Sequence, residues 1–479
     1  MKDKSDKSIK PFRFLDLPIE LQLQLIKTIT QISISTSISE QQNTLLNEVQ
    51  HELDWDEGLP LTIDWTTLKN LSLTCKSINQ ITKPNYQRRL IISLNKSKSI
   101  DLYTVCQNHL NYNKALSNVT TLYYRGLKNG SHTRNSLSHS IPQTIQITLN
   151  LLNQLISLKS LCLSHVEGNI VSSILSHPST KLEALSLSYI IHKCSDLIEF
   201  DSLKNIKALK IQECNPIWLS IVKQTKNIEH LCIWMPAQRI RDIDWFEPDI
   251  ILPKLRYLNL DGFRTTPKLL IQLCSKIKEY RGKGKNPLVI EELDLEAKFN
   301  KGLIEIVLET FKDYSLKSLA ISCVSEFDMS PNFFHLIIQN GLSINLQKLL
   351  VMVEGYEGRK WPNSLESYAN ELSNFKSLKT FLFNHIEYDD EPIEDPEDPE
   401  EELVIIQNQE RSITQNFQNH SNLFFNLLPN LSTVVLVKAL WANRADGCKA
   451  FKNKKGDVEV LENLDLREML IPFEPRWTD

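Results

Sequence analysis

The chain has no run of about 18 apolar residues, the length that a membrane-spanning helix needs. Its opening residues, MKDKSDKSIKPF, are charged and lack the apolar stretch of a secretory signal behind them. The expectation is a protein of the cytosol or nucleus with no membrane contact. Nine cysteines are present but none forms a CxxC pair. Several, including Cys162, Cys232 and Cys323, sit beside apolar strand-like runs, so reduced, buried thiols are expected rather than disulfides or zinc ligands. There is no GxxxxGK[ST], no HExxH and no paired Cys/His metal spacing, and the eleven histidines are dispersed. No side chain therefore takes the role of nucleophile or general base, no cofactor or metal is expected, and nucleic acid is not an expected partner.

What remains is a long chain with a real core. Its 479 residues are 41% hydrophobic, which excludes disorder throughout and leaves room for several domains or one repeat array. The net charge of −4 hides an asymmetry. Residues 387–402, EYDDEPIEDPEDPEEE, hold eleven acids and no base, leaving 54 bases against 47 acids elsewhere. Repeated Asp-Pro and Glu-Pro steps in this tract predict a solvated, disordered insertion over about 387–420, the alternatives being a docking tail or a mimic of nucleic acid. The basic stretch RGKGK, residues 281–285, reads as a loop between structured units; its alternative is a phosphate-holding patch helped by Lys276 and Lys278.

One phrase recurs, apolar-x-x-apolar-x-apolar: LKSLCL from Leu158, LEALSL from Leu182, IKALKI from Ile206, IEHLCI from Ile228, LRYLNL from Leu255 and IEELDL from Ile290. LKSLAI from Leu316, LQKLLV from Leu346, LKTFLF from Leu378, LSTVVL from Leu431 and LENLDL from Leu461 continue it, and VTTLYY lies upstream as a degenerate copy. A chain of this composition would contain such a phrase on the order of 16 times by chance, so the count decides nothing. The spacing does. Successive copies from Leu158 to Leu378 lie 24, 24, 22, 27, 35, 26, 30 and 32 residues apart. Helix-like segments fall between them, such as NPIWLSIVKQTKN and TTPKLLIQLCSKIKE, each starting near Pro. A strand, a turn and a helix repeated at that interval is a solenoid unit that buries its core only against its neighbours.

This pattern resembles the leucine-rich-repeat family, in its longer, irregular, helix-containing class. The resemblance implies Asn or Cys three residues after the last strand leucine, where the side chain satisfies loop backbone groups. Only Cys214 fits; the corresponding positions elsewhere are Val166, Ile190, Phe263 and Val324.

At the other end, DLPIELQLQLIKTI, residues 16–29, alternates like a strand, yet Asp16, Pro18 and Glu20 are the opening turn of a helix. At about 100° per residue Leu17, Leu21, Leu25 and Ile29 form one apolar stripe and Ile19, Leu23 and Ile26 a second. A helix apolar on two faces has one face to spare. Further on, Leu68, Leu71, Cys75 and Ile78 make another helical stripe that Pro84 ends. Together LPIELQLQLI and LKNLSLTCKSINQI resemble the two halves of an F-box, the helical module of substrate receptors in cullin-RING ubiquitin ligases. Leu17, Pro18, Glu20 and Leu21 match its Leu-Pro-x-Glu-Leu start; Leu73, Cys75, Lys76 and Ile78 match its Val-Cys-Lys-x-Trp phrase, with Ile78 in place of the aromatic residue. The resemblance implies a Skp-type adaptor, and through it a cullin, held by Leu17, Pro18, Ile19, Leu21, Leu25, Ile26, Leu71, Cys75, Lys76 and Ile78. This chain departs from the family in the long insertion between the halves, about residues 31–63, which a loop-closure cost that grows slowly with length permits.

The expected fold class is therefore α/β: a flexible tail (1–14), a helical F-box-like module (15–92), and an irregular leucine-rich-repeat solenoid of short parallel strands and helices (93–479). In such a solenoid the x positions of the strand line the concave face. They nominate His230, Trp234, Arg256, Tyr257, Asn259 and Asp261 for a protein substrate, with Lys207 and Lys210 beside them. The alternatives are a repeat scaffold without a role in ubiquitin ligation, and a GTPase-activator-like regulator.

Overall fold

The computed structural model of the chain describes residues 89–93, 102–112, 116–126, 141–177, 181–190, 199–235, 240, 243–261, 267–284, 289–353, 361–385, 399–441, 444–453 and 456–465. They fall into two compact units, residues 1–182 with 476–479, and 183–475. The tail, the F-box-like helices, the insertion at 31–63 and the acidic residues up to 398 lie outside the described residues.

In the first unit three strands, β1 (Arg89–Ser93), β2 (Thr121–Arg125) and β3 (Ser160–Ser164), pair in parallel in chain order. Helices α1 (Leu102–Tyr112) and α2 (Ile141–Gln154) cross between them, and α3 (Gly168–Leu175) follows β3. VTTLYY is a repeat, since β2 begins two residues into it, as β3 does in LKSLCL. The sheet also starts earlier than the sequence reading placed it: β1 occupies residues assigned to the helical module, where the β-branched pair Ile91 and Ile92 favours a strand. At the end of β2 a Cβ on Gly126 would lie 2.0 Å from the His165 carbonyl oxygen, so only glycine fits there.

In the second unit the phrases become strands with one offset throughout. They are β4 (Ala184–Ser188), β5 (Ala208–Gln212), β6 (His230–Trp234), β7 (Tyr257–Asp261), β8 (Glu292–Phe299) and β9 (Ser318–Val324), then β10 (Lys348–Val353), β11 (Thr380–Phe383) and β12 (Thr433–Trp441). Each pairs in parallel with the next, in the register Ala184, Ala208, His230, Tyr257, Glu292, Ser318, Lys348, Thr380, Thr433. The second phrase residue initiates each pairing. The Lys207 amide donates to the Glu183 carbonyl (2.8 Å), Glu229 to Lys207 (2.7 Å), Arg256 to Glu229 (2.8 Å), Glu291 to Arg256 (2.8 Å) and Lys317 to Glu291 (2.7 Å). The apolar phrase residues, Leu209 and Ile211, Leu231 and Ile233, Leu258 and Leu260, are at most 1% exposed. Each buried side chain of this kind contributes roughly 1.5–3 kcal/mol.

Repeat length decides what crosses between strands. The 35-residue interval between the phrases at Leu255 and Ile290 holds α5 (Pro267–Gly282), as its periodicity predicts. The 22-residue interval between the phrases at Ile206 and Ile228 holds PIWLSIVKQ as a 3₁₀ helix, Pro216–Gln224, whose roughly 2 Å rise per residue covers the return in fewer residues. Its start is capped by Asn215 Oδ1, which accepts from the Ile217 amide at 3.2 Å. The other crossings include α4 (Pro248–Ile251), α6 (Lys301–Phe311), α7 (Pro331–Gln339) and α8 (Leu365–Leu372). Phe334 on α7 meets Tyr368, Phe375 and Phe381 edge-on at ring distances of 6.0–6.3 Å, tying α7 to α8 and β11.

Two expectations need correction. The disordered insertion does not reach 420, because a helix, α9 (Pro399–Leu427), begins within the acidic tract. Proline and then Glu400, Glu401 and Glu402 suit a first helical turn, and further along Phe417, Ser421, Phe424 and Leu428 make one buried stripe. LENLDL is not a further parallel repeat. It lies in β14 (Val458–Asp465), antiparallel to β13 (Arg444–Lys452), which is itself antiparallel to β12.

Where β3, β4, β5 and β9 end, a residue other than glycine adopts the left-handed conformation: His165 (φ 53°), Tyr189 (56°), Glu213 (47°) and Cys323 (66°). Each turns the next residue, Val166, Ile190, Cys214 or Val324, into the core. The Cys214 thiol lies 3.3 Å from the Leu187 carbonyl oxygen and 3.2 Å from that of Gln212. At the other three positions an aliphatic side chain fills the same place.

Candidate protein-binding face

Alternation sends the phrase leucines to the helix side of the sheet and the intervening residues to the opposite face. The register then stacks those residues in rows across the second unit. One row runs Ala208, His230, Tyr257, Glu292, Ser318. The next runs Lys210, Cys232, Asn259, Asp294, Ala320. In a third, Gln212 pairs with Trp234 and Trp234 with Asp261, and further along Glu296 pairs with Ser322.

His230, Tyr257 and Asn259 are brought together. The His230 and Tyr257 rings are 6.1 Å apart. Asn259 Nδ2 donates to Tyr257 Oη (3.2 Å) and to Asp294 Oδ2 (2.7 Å). Burial lowers the His230 pKa and raises that of Tyr257 well above the usual phenol range. Burial also pushes Asp294 up to about 7, against the opposing hydrogen bond from Asn259. Its side chain still keeps partial contact with solvent.

Trp234 is half-buried and remains available as an anchor, whereas Tyr257 is only 3% exposed and forms floor rather than contact surface. The backbone of Asp261 continues the third row; its side chain lies outside the described residues. Behind burial, Arg256 adds to the lowering of the His230 pKa. It stands one residue before β7 in an alternating series, Glu183, Lys207, Glu229, Arg256, Glu291, Lys317, with Lys207 as another member. Lys207 lies 4.0 Å from Glu183 and Lys317 lies 2.8 Å from Glu291.

Asp294 and Gln212 were missed, although the rule that selected Asn259 also selects Asp294 one phrase later. The ten candidate adaptor-binding residues, Leu17 to Ile78, lie outside the described residues.

The described bases of the phosphate patch are engaged within the chain. Lys276 Nζ donates to the Ile243 and Phe246 carbonyls at 3.0 and 3.1 Å. Lys278 is bound to Glu309, and Lys283 pairs with Glu279 at 2.9 Å. Arg281, in the last turn of α5, pairs with Asp313 and donates to the Thr310 carbonyl at 2.9 Å.

The seven described cysteines are free thiols, six buried and Cys162 partly so. Among the described residues no cluster of metal-ligating side chains occurs, and no helix is long and apolar enough to cross a membrane. No family model matches the chain, and no curated protein matches it significantly.

Proposed function

We propose that the chain is a substrate receptor of a cullin-RING ubiquitin ligase, in which the N-terminal helices hold a Skp-type adaptor and the repeat sheet holds a protein substrate. The observation that carries the repeat half is the row structure: one strand per repeat, in register, with polar and aromatic side chains on the face away from the helices. Such a rigid array suits recognition of another protein. The adaptor half rests on Leu17, Pro18, Glu20 and Leu21 and on Cys75, Lys76 and Ile78, whose pattern resembles an F-box. In this reading the chain does no chemistry. It raises the effective concentration of substrate lysines near a ubiquitin-loaded conjugating enzyme.

The test is calorimetric titration of the full chain with a Skp-type adaptor, beside a Leu17→Asp, Leu21→Asp variant checked by circular dichroism. Micromolar or tighter binding, lost in the variant at unchanged helicity, is the expected result. Absence of binding by the folded wild type would leave a repeat scaffold and remove the ligase role.

A further inference from the structure

Two buried acceptors on the face of β5–β8 have no hydrogen-bond donor, and a half-buried carboxyl beside them has a single neutral one. Gln212 is 7% exposed, and its buried Oε1 accepts no hydrogen bond; its Nε2 donates to Tyr189 Oη at 3.5 Å. Asn259 Oδ1 is also buried without a donor, while Nδ2 of the same amide is committed to Asp294. Asp294 receives one hydrogen bond, from that neutral amide, and no described cation pairs with it. Leaving a buried acceptor unpaired costs stability, and more so for a carboxylate. Such a cost persists where a ligand removes it.

The surroundings agree on the ligand's charge. Glu292 and Glu296 flank Asp294 on the same face of β8. The strand beside them, β9, presents Ser318, Ala320 and Ser322 there, and its Cys323 thiol meets Glu296 Oε1 at 3.4 Å, so no long side chain of β9 crosses over the Asp294 carboxylate. Trp234 lies in the row of Gln212 and offers an indole to an alkyl stem or a cation. Lys210 on β5 and Lys348 on β10 mark the flanks.

We propose that Gln212, Trp234, Asn259 and Asp294 form the docking site for an extended basic segment of a partner protein. An Arg or Lys side chain reaches Asp294 and Asn259 Oδ1, and a second donor of the segment reaches Gln212 Oε1. At about 4.8 Å per strand the two ends lie roughly 14 Å apart, the reach of four or five extended residues. Arg fits best, because its fork serves a carboxylate and an amide oxygen together. The proposal rests on reading this face as the one that receives a protein.

The probe is a library of random dodecapeptides selected on the full chain, with affinities of recovered peptides measured for wild type, Asp294→Asn and Gln212→Leu. Enrichment of Arg or Lys, with at least tenfold weaker binding to Asp294→Asn and a smaller loss for Gln212→Leu, both variants keeping the wild-type circular dichroism spectrum, is the expected result. Three results overturn it: basic peptides that bind both variants as tightly as wild type, as they would if held by the acidic run 387–402; recovered peptides without basic enrichment; or no recovered peptide. Adaptor binding measured on the same preparations separates the two readings. If adaptor binding persists and peptide selection fails, the docking site alone falls; if peptides bind and the adaptor does not, the ligase role alone falls.

Discussion

Asn259 donates from Nδ2 to Asp294 Oδ2 at 2.7 Å, across the paired positions of two adjacent parallel strands. That bond is the only one the Asp294 carboxyl makes among the described residues, and it comes from a neutral group. Its weakness relative to the burial it opposes has measurable consequences for stability.

Burial keeps the folded Asp294 carboxyl protonated up to about 7, whereas an unfolded Asp ionises near about 3.9. Between those values the folded state binds the extra proton, so this group's contribution is fully present below about pH 4 and is lost as pH rises towards 7. Thermal unfolding of wild type and Asp294→Asn from pH 3.5 to 8.5 should show the variant gaining relative to wild type through that window and a constant difference above it. A constant difference at every pH would mean that Asp294 titrates normally.

The Glu291 and Lys317 side chains meet at 2.8 Å in the alternating charge series and are 29% and 50% exposed. Exposed pairs contribute about 0.2–1 kcal/mol. A double-mutant cycle with Glu291→Gln and Lys317→Met, read by urea denaturation, should return a coupling in that range, shrinking in 1 M salt as screening predicts.

Cys214 shares its place in the repeat with Val166, Ile190 and Val324. Cys214→Val should therefore cost under about 1 kcal/mol, since the aliphatic form already serves the neighbouring repeats. Ile211→Ala, three residues away in the core, should cost about 2–5 kcal/mol. Equal losses in denaturant unfolding would mean that the thiol's contacts with the Leu187 and Gln212 carbonyls matter more than its volume.

Gly126 sits against the carbonyl of His165, the residue that makes the left-handed turn at the end of β3. Gly126→Ala must displace backbone rather than a flexible side chain, so it should lower stability by more than the ~1 kcal/mol typical of single substitutions. Denaturant unfolding that left the midpoint unchanged would show that the β2 and β3 ends can separate freely.

The phrases from Leu158 to Leu431 were legible as strands because burial of every second residue leaves its mark on the sequence at a period of two. The offset from phrase start to strand start is constant, which makes the rows on the far face readable by extension; Asp294 follows from Asn259 by moving one phrase along. The helices were less legible. Pro216 opens a 3₁₀ segment and Pro267 an α-helix, and only the chain length left between strands separates them. The acidic run concealed the start of α9, whose apolar stripe begins later, and LENLDL carried the repeat phrase into an antiparallel strand.

By itself the sequence determined which residues are core, that one strand recurs per repeat, and which side chains leave the sheet on the face away from the helices, because each of these is a local periodicity. Tertiary structure decided what periodicity does not encode. Register joined Asn259 to Asp294 and left Gln212 with a buried oxygen and no donor. Residues distant in sequence meet only once every strand has been hydrogen-bonded to the next, and the cost of an unmet acceptor exists only after that burial.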